Sequence, residues 1–373
     1  MATRIVDKLR SFRMHPAGLY RPLLLRYLQL TTRRLPPKSL PADIESILII
    51  AHERLGDALL LMPFLYAFHE RFPAAQIDIA CTPLNQSLFQ ELQFVRNVVT
   101  YKSDTTALRY LQAHRRYTLL YNPKDNPSFT FIRLTRRTQA EVKVCLDHGA
   151  HNRFYHVHLP NPPDGHILEK DAALLKPYQV PFPLPNRIPE PASHEFIPPL
   201  LPKSDLYLAL NLSAGNAYRI WPLDRWIAVV ADLLALPERY HILLFAMEGE
   251  HEMIRALQAR FGDRIRHCQT ATLLEAGRFL QQARLLISPD TALIHLAAAK
   301  GVPIVGLYQQ DERNRTLFGP YRVPAKMVVS EDLTLNSIQP AQVLDAVRAL
   351  LSREGALRFP EPHRNVLTRA RTR

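Results

Sequence analysis

The sequence predicts an α/β protein made of two doubly wound domains, and three observations predict it. The chain has 373 residues, long for one compact core and enough for two. Short apolar runs alternate with longer segments of helical periodicity in each half, the pattern of parallel strands joined by crossover helices. A proline-crowded stretch from Pro160 to Pro202 interrupts that alternation near the middle.

The first half opens with a buried-strand run at Ile47–Ala51. A helix follows over Asp57–Arg71, with Leu59, Leu60, Met62, Leu65 and Phe68 inward. Further strands are expected at Ile77–Cys81, Val98–Tyr101, Thr118–Tyr121 and Glu141–Cys145, with helical segments between them, one near Gln86–Leu92. The proline-rich stretch holds one helix at about His166–Lys176. Strands resume at Leu206–Leu212, His241–Ala246, Leu285–Ile287 and Ile304–Leu307. Helices are expected at Leu223–Leu236, His251–Phe261, Leu273–Ala283, Thr291–Lys300 and Pro340–Leu351. The organisation read from this is a basic arm over 1–44, an α/β domain over 45–185, a linker over 186–204, a second α/β domain over 205–352 and a basic tail over 353–373.

The net charge of +13 gains meaning from its location. Residues 1–44 carry nine Lys/Arg against Asp7 and Asp43, and residues 353–373 carry six Arg against Glu354 and Glu361, so the ends hold +11 of the +13. A nucleic-acid-binding domain spreads its charge over the folded body. Basic ends on a near-neutral body fit an anionic membrane surface or an anionic lipid acceptor better, and no nucleic-acid partner is expected. Leucines and arginines interleave from Leu19 to Arg34, which suits either an interfacial helix or a helix packed on the protein's own surface. The widely spaced Cys81, Cys145 and Cys268 offer no disulfide framework or zinc spacing, as suits a reducing cytoplasm. No apolar run is long enough to span a bilayer, and no signal-peptide pattern opens the chain.

Four segments could carry chemistry. H-E-R-L-G-D, His52 to Asp57, follows the first strand, where open parallel sheets bind ligands. Gly56 lets the backbone turn tightly, and Asp57 opens the helix, either as a reactive carboxylate or simply as its N-cap. N-L-S-A-G-N-A-Y-R-I-W-P, Asn211 to Pro222, follows the first strand of the second half. Ser213, Ala214 and Gly215 let backbone amides approach an anion there, and Arg219 is either a diphosphate partner or a solvated charge. In S-P-D-T-A-L-I-H, Asp290 is expected to cap a helix whose free amides at Thr291, Ala292 and Leu293 form an anion site, with His295 one turn further in. Glu252, in E-G-E-H-E, is either a ribose-binding carboxylate or an acidic helix start. No Asp-x-Asp occurs, so a metal-bridged diphosphate is not expected, and no cofactor or metal is called for.

These motifs agree in order and spacing with one family. Over roughly residues 45–350 the chain resembles the ADP-heptose:lipopolysaccharide heptosyltransferases, glycosyltransferase family 9. The resemblance implies a GT-B fold: two Rossmann-like domains facing across a cleft, the first acceptor-binding and the second nucleotide-sugar-binding, with the last helix crossing back to the first. It makes Asp57 the catalytic base and puts Arg219 on the donor phosphates. D-T-A-L-I-H becomes the diphosphate-binding signature, and Glu252 the ribose ligand. It sets H-I-L-E-K, with His166 and Lys170, beside Gly56 on the acceptor side. The implied activity is inverting, metal-independent transfer of heptose from ADP-heptose to the inner core of lipopolysaccharide, by a cytoplasmic enzyme peripheral on the inner membrane.

The chain departs from the family pattern at Ala292, where Gly is usual, at Lys170, where Arg is usual, and at Gln309–Arg313, where Gly-Pro-Thr is usual. Its basic N-terminal arm is also longer. Two alternatives therefore stand: a transferase using another nucleotide sugar in envelope polysaccharide synthesis, and a catalytically silent envelope-assembly scaffold.

Overall fold

The computed structural model describes residues 28–102, 104–149, 152–191, 202 and 205–354. The chain divides into two compact units, Met1–Phe196 with Glu312–Tyr321, and Ile197–Asp311 with Arg322–Arg373.

The first unit is built on six strands: β1 (Ser46–Ile50), β2 (Gln76–Cys81), β3 (Val95–Thr100), β4 (Arg116–Asn122), β5 (Gln139–Leu146) and β6 (Val157–Leu159). Their order is β3-β2-β1-β4-β5-β6, and every pairing is parallel. Its helices are α1 (Leu55–Arg71), α2 (Pro83–Gln90), α3 (Thr106–His114), α4 (Phe129–Arg137) and α5 (Ile167–Asp171). Parallel strands are covered on both faces, so the central ones need no alternation of apolar and polar residues. β1 shows it: Ile47, Leu48, Ile49 and Ile50 are all buried.

The second unit repeats the plan with β7 (Leu206–Asn211), β8 (Tyr240–Phe245), β9 (Ile265–His267), β10 (Ala283–Pro289), β11 (Ile304–Tyr308) and β12 (Ala325–Val329). Their order is β12-β11-β10-β7-β8-β9, again parallel throughout. Read from the other edge, this is the order of the first sheet. In both, the strand order reverses beside the unit's first strand, between β1 and β4 and between β7 and β10. Such switch points are where doubly wound sheets bind ligands.

The helices of the second unit are α6 (Leu223–Leu234), α7 (His251–Phe261), α8 (Leu273–Leu280), α9 (Ala292–Ala299) and α11 (Pro340–Glu354), and α10 (Glu312–Phe318) belongs to the first unit. Local chemistry sets their ends. Thr272 and Glu275 form a reciprocal capping box at the start of α8. At the end of α9, Gly301 takes a φ of 72°, and the Val302 amide donates back to the Ala297 carbonyl, which closes the helix.

The nine strands read from sequence are present, each within a few residues of its expected bounds. β6, β9 and β12 are additional. They are short or at sheet edges, and only one strand pairs with each. Among the described residues the last helix belongs to the second unit, where the sequence reading has it crossing back: α11 packs on α6 and on β10, β11 and β12. Residues 312–321 make that passage instead.

Of the basic arm, residues 1–27 lie outside the described residues. Residues after Leu28 run along the first unit. Leu28 packs on its core, Leu35 N donates to the Arg153 carbonyl (3.1 Å), and Lys38 Nζ donates to the Glu141 carbonyl (2.6 Å). Most of the 186–204 linker and nearly all of the 353–373 tail also lie outside.

One packing constraint in β11 is testable. A Cβ built on Gly306 would overlap the ring of Tyr308, which is buried two residues further along the same face. Gly306→Ala is expected to lose about 1–3 kcal/mol, read as a lower urea midpoint with unchanged slope. Wild-type stability in that variant would mean that the ring has room to swing clear.

Candidate functional site

In the first unit, chemistry-bearing residues gather where β1 and β4 end. The chain leaves β1 through Ala51 and His52, both buried. Asn85 Nδ2 donates to the His52 carbonyl (2.8 Å), and Thr82 Oγ1 to the Glu53 carbonyl (3.2 Å), so the start of α2 fixes this loop. Arg54 is the N-cap of α1 and makes no side-chain cap bond. Asp57 is therefore the third residue of the helix, not its cap, which corrects the capping reading. It sits in the first turn, where the helix dipole favours a carboxylate. Its side chain is half-buried and makes no hydrogen bond among the described residues. Burial raises its pKa, Asp125 adds to the rise, and the charges of His52, Arg54 and Lys124 oppose it.

The motif's own His52 and Glu53 are joined by groups from elsewhere in the first unit. His52 Nε2 donates to Asp171 Oδ1 at 2.8 Å, with both residues buried. Burial alone would lower the His52 pKa, but the Asp171 carboxylate and its hydrogen bond outweigh it and raise the imidazole. Tyr121 Oη, from β4, donates to the Asp171 carbonyl (2.9 Å). Beyond β4, Lys124 Nζ lies 3.6 Å from Glu53 Oε2, and Lys102 Nζ lies 2.9 Å from Glu53 Oε1.

Lys170 is brought into this cluster, buried, with Nζ 4.0 Å from Asp125 Oδ2. Gly56 precedes Asp57 in the first turn of α1. His166 is used differently. Its Nδ1 accepts from the Leu168 amide (3.2 Å) at the head of α5, and its Nε2 donates to the Gly319 carbonyl (3.0 Å). Both ring nitrogens are committed, so His166 anchors the 312–321 segment.

In the second unit the switch point is tied by Asn211. Its Nδ2 donates to Ser288 Oγ and to Thr291 Oγ1, each at 3.0 Å. Its Oδ1 accepts from the Ser213 amide (3.2 Å). Ser213 Oγ donates to Glu250 Oε2 (2.7 Å) and accepts from the Met247 amide (2.6 Å). Glu250, not Glu252, is thus the carboxylate joined to this loop. Glu252 is exposed in the first turn of α7. Ala214 is half-buried, and Gly215 is exposed with open space where a Cβ would stand.

Arg219 ends a short turn capped by Asn216 Oδ1. Its Nη1 lies 2.9 Å from Asp290 Oδ2 and 3.0 Å from the Asp290 carbonyl, and its Nε donates to Gln309 Oε1 (3.0 Å). Its Nη2 makes no hydrogen bond among the described residues. Asp290 thus pairs with Arg219, and the N-cap of α9 is Thr291, one residue later than the sequence suggests. The Ala292 and Leu293 amides open the helix with no backbone acceptor. His295 is buried within α9. Trp221 is fully buried, edge-to-face with Trp226, and packs the second unit's core.

Two Rossmann-like sheets of the same strand order, each with charged groups at its switch point, are the sheets of a GT-B-type fold. The profile of Glycosyltransferase family 9 (heptosyltransferase) matches residues 115–342, more than half of the chain. The chain belongs to that family and is a glycosyltransferase. Lipopolysaccharide heptosyltransferase 3 of Escherichia coli is 23% identical over 282 residues, covering 68% of this chain and 80% of that protein. The solved glycosyl transferase family 9 structure from Veillonella parvula DSM 2008 superposes with a TM-score of 0.70 at 18% identity, covering 85% of this chain and 100% of that one. The E. coli ADP-heptose LPS heptosyltransferase II gives 0.64 at 19%, covering 83% and 99%. E. coli heptosyltransferase WaaC with ADP gives 0.64 at 20%, covering 82% and 99%. At these identities the solved structures establish the fold.

The buried His52–Asp171 pair has a pH signature. Folding raises the imidazole above its ordinary 6.5. The pair's stabilisation is therefore present below pH 6.5 and lost as pH rises through the folded imidazole value; it falls again in strong acid, where burial, which has raised the Asp171 carboxyl, lets that group protonate early. Asp171→Asn, which leaves the imidazole without its carboxylate, should cost on the order of 3 kcal/mol in the acid range. In urea unfolding, the gap to wild type should be wider near pH 6 than near pH 9. An equal gap at both would show an uncharged imidazole.

Proposed function

We propose that this protein moves a heptosyl group from ADP-heptose to the inner core of lipopolysaccharide, with inversion and without a metal ion. The observation that carries the reading is Asp57: a half-buried carboxylate with no hydrogen bond among the described residues, in the first turn of the helix after β1, at the switch point of the first sheet. A general base needs a free lone pair and a raised proton affinity, and Asp57 has both. It takes the proton of an acceptor hydroxyl while that oxygen attacks the anomeric carbon. The bond from that carbon to the diphosphate breaks on the opposite face.

The second unit supplies the donors for the departing diphosphate: Arg219 through its Nη2, and the amides of Ala292 and Leu293. Glu250, joined to Ser213, is the carboxylate offered to ribose hydroxyls. The absence of Asp-x-Asp, with a guanidinium at this switch point, favours charge neutralisation by the protein over a metal bridge. The substrate choice is supported by the named relative and by a related E. coli heptosyltransferase solved with ADP-2-deoxy-2-fluoro heptose. In this reading the basic ends hold the enzyme on the cytoplasmic surface of the inner membrane. No helix among the described residues is long and apolar enough to cross a membrane.

One feature favours a second donor. The methyl group of Ala292 stands at the opening of α9, where the family pattern has none. Turnover across a panel of nucleotide sugars decides between ADP-heptose and another donor, and turnover with none of them would leave the silent scaffold.

Asp57→Asn should cut turnover by about 100- to 10,000-fold. Its melting temperature should stay near wild type, because Asp57 caps nothing. A loss below about threefold would remove Asp57 from the base role. For donor affinity, Arg219→Ala should weaken ADP binding more than Arg219→Lys does, since a lysine keeps the charge but not the fork. Equal dissociation constants by calorimetry for wild type and both variants would take Arg219 out of the site.

A further inference from the structure

We propose that the buried His52–Asp171 pair is a charge-setting element for Asp57: an imidazolium, fixed by one carboxylate from α5, that keeps the second carboxylate at the head of α1 ionised and ready to accept a proton. This rests on Asp57 being the base and deepens that reading. His52 and Asp171 are positioning residues, since they act through Asp57.

The geometry carries the inference. Asp171 and His52 are 119 positions apart in sequence yet share a 2.8 Å hydrogen bond in the interior of the first unit. Each is held from a second direction through its backbone carbonyl, His52 by Asn85 Nδ2 and Asp171 by Tyr121 Oη. A buried imidazole–carboxylate pair needs a reason, because an apolar pair of similar volume would fill the same space at no electrostatic cost. A reason lies five residues along the chain. Asp57 follows His52 on the same short passage from β1 into the first turn of α1, is half-buried, and has no hydrogen bond among the described residues to hold its charge; the charge on His52 opposes the effect of that burial. His52 in turn feels Asp57 as well as Asp171.

The remaining charges near Asp57 do not replace this one. Arg54 is exposed, Lys124 is engaged with Glu53, and Asp125 works in the opposite sense. Lys124 also opposes charge on His52. Lys170 lies against Asp125. One imidazolium shared electrostatically by two carboxylates leaves Asp57 anionic without a direct salt bridge. A direct salt bridge would occupy the lone pair that the reaction needs.

Imidazole carbon–proton NMR on the full-length protein, from about pH 5 to pH 9, tests this, with His52 assigned by loss of its signal in His52→Gln. The His52 midpoint should lie above that of a free imidazole and fall by about one unit or more in Asp171→Asn and separately in Asp57→Asn. Asp57→Asn disturbs no hydrogen bond and decides the matter if the other variants fold poorly. A His52 midpoint in Asp57→Asn within about 0.2 units of wild type would overturn the coupling.

Turnover with ADP-heptose and heptose-deficient lipopolysaccharide gives the second readout. In His52→Gln the acid limb of kcat/KM should move up by about one pH unit, with activity recovering on the alkaline side. A drop by the same factor at every pH would mark His52 as merely structural and overturn the proposal. If Asp57→Asn keeps its turnover, the base assignment fails. If Asp57→Asn is dead while the His52 midpoint ignores it, only the charge-setting role fails.

Discussion

Parallel pairing is the constraint from which the rest of this structure follows. A chain that enters every strand from the same end must return outside the sheet each time, so both faces are covered by crossover helices. The strands are then read out of water on both sides, as the four consecutive buried residues of β1 illustrate. Irregular backbone is confined to the two edges, and at the carboxyl edge it opens furthest where the strand order reverses. In both sheets that place holds the charged groups: His52 to Asp57 with Lys124 and Asp125 in one, Asn211 to Arg219 with Asp290 to Leu293 in the other. The two sites are alike in position because the two sheets are alike in order, yet they hold different chemistry.

The difference lies in how charge is held. In the first unit a carboxylate has no hydrogen bond among the described residues, while the same end of the sheet holds an imidazole–carboxylate pair, two lysines and a second aspartate. In the second unit the groups are bonded to one another. Asn211 bridges two strand ends, Ser213 bridges to Glu250, and Arg219 is clamped by Asp290 and Gln309. A proton acceptor needs an available lone pair. An anion site needs donors held still before the charge arrives.

Much of this was legible in the sequence. Strongly apolar central strands announce themselves, and the ends of β1, β7 and β10 fall where the motifs begin. The residues that the sequence did not place were those whose partner lies far along the chain. Nothing local in H-I-L-E-K-D marks Asp171 as the mate of His52. The sequence singled out Glu252, and the hydrogen bond from Ser213 to Glu250 escaped it, because the 3-10 turn at Glu248–Glu250 has no sequence signature. Asp57 and Asp290 both look like helix caps, since Asp is a common cap. In the structure the capping positions are Arg54 and Thr291, and both aspartates are left for electrostatics. Short edge strands such as β6 and β9 escaped for a related reason: three residues carry too little periodicity to read.

The passage of residues 312–321 through the first unit has a consequence for how the chain is made. That unit is not contiguous: it needs α10 and the Gly319 carbonyl that receives the His166 ring. A ribosome has by then delivered five of the six strands of the second unit, β7 to β11. The amino-terminal half therefore cannot reach its finished state while the carboxyl-terminal half is still unmade, contrary to the usual order in which domains complete themselves during synthesis. A fragment cut at residue 196 would leave the His166 Nε2 proton without its acceptor. The two halves share a fold and a strand order, but they mature as one polypeptide.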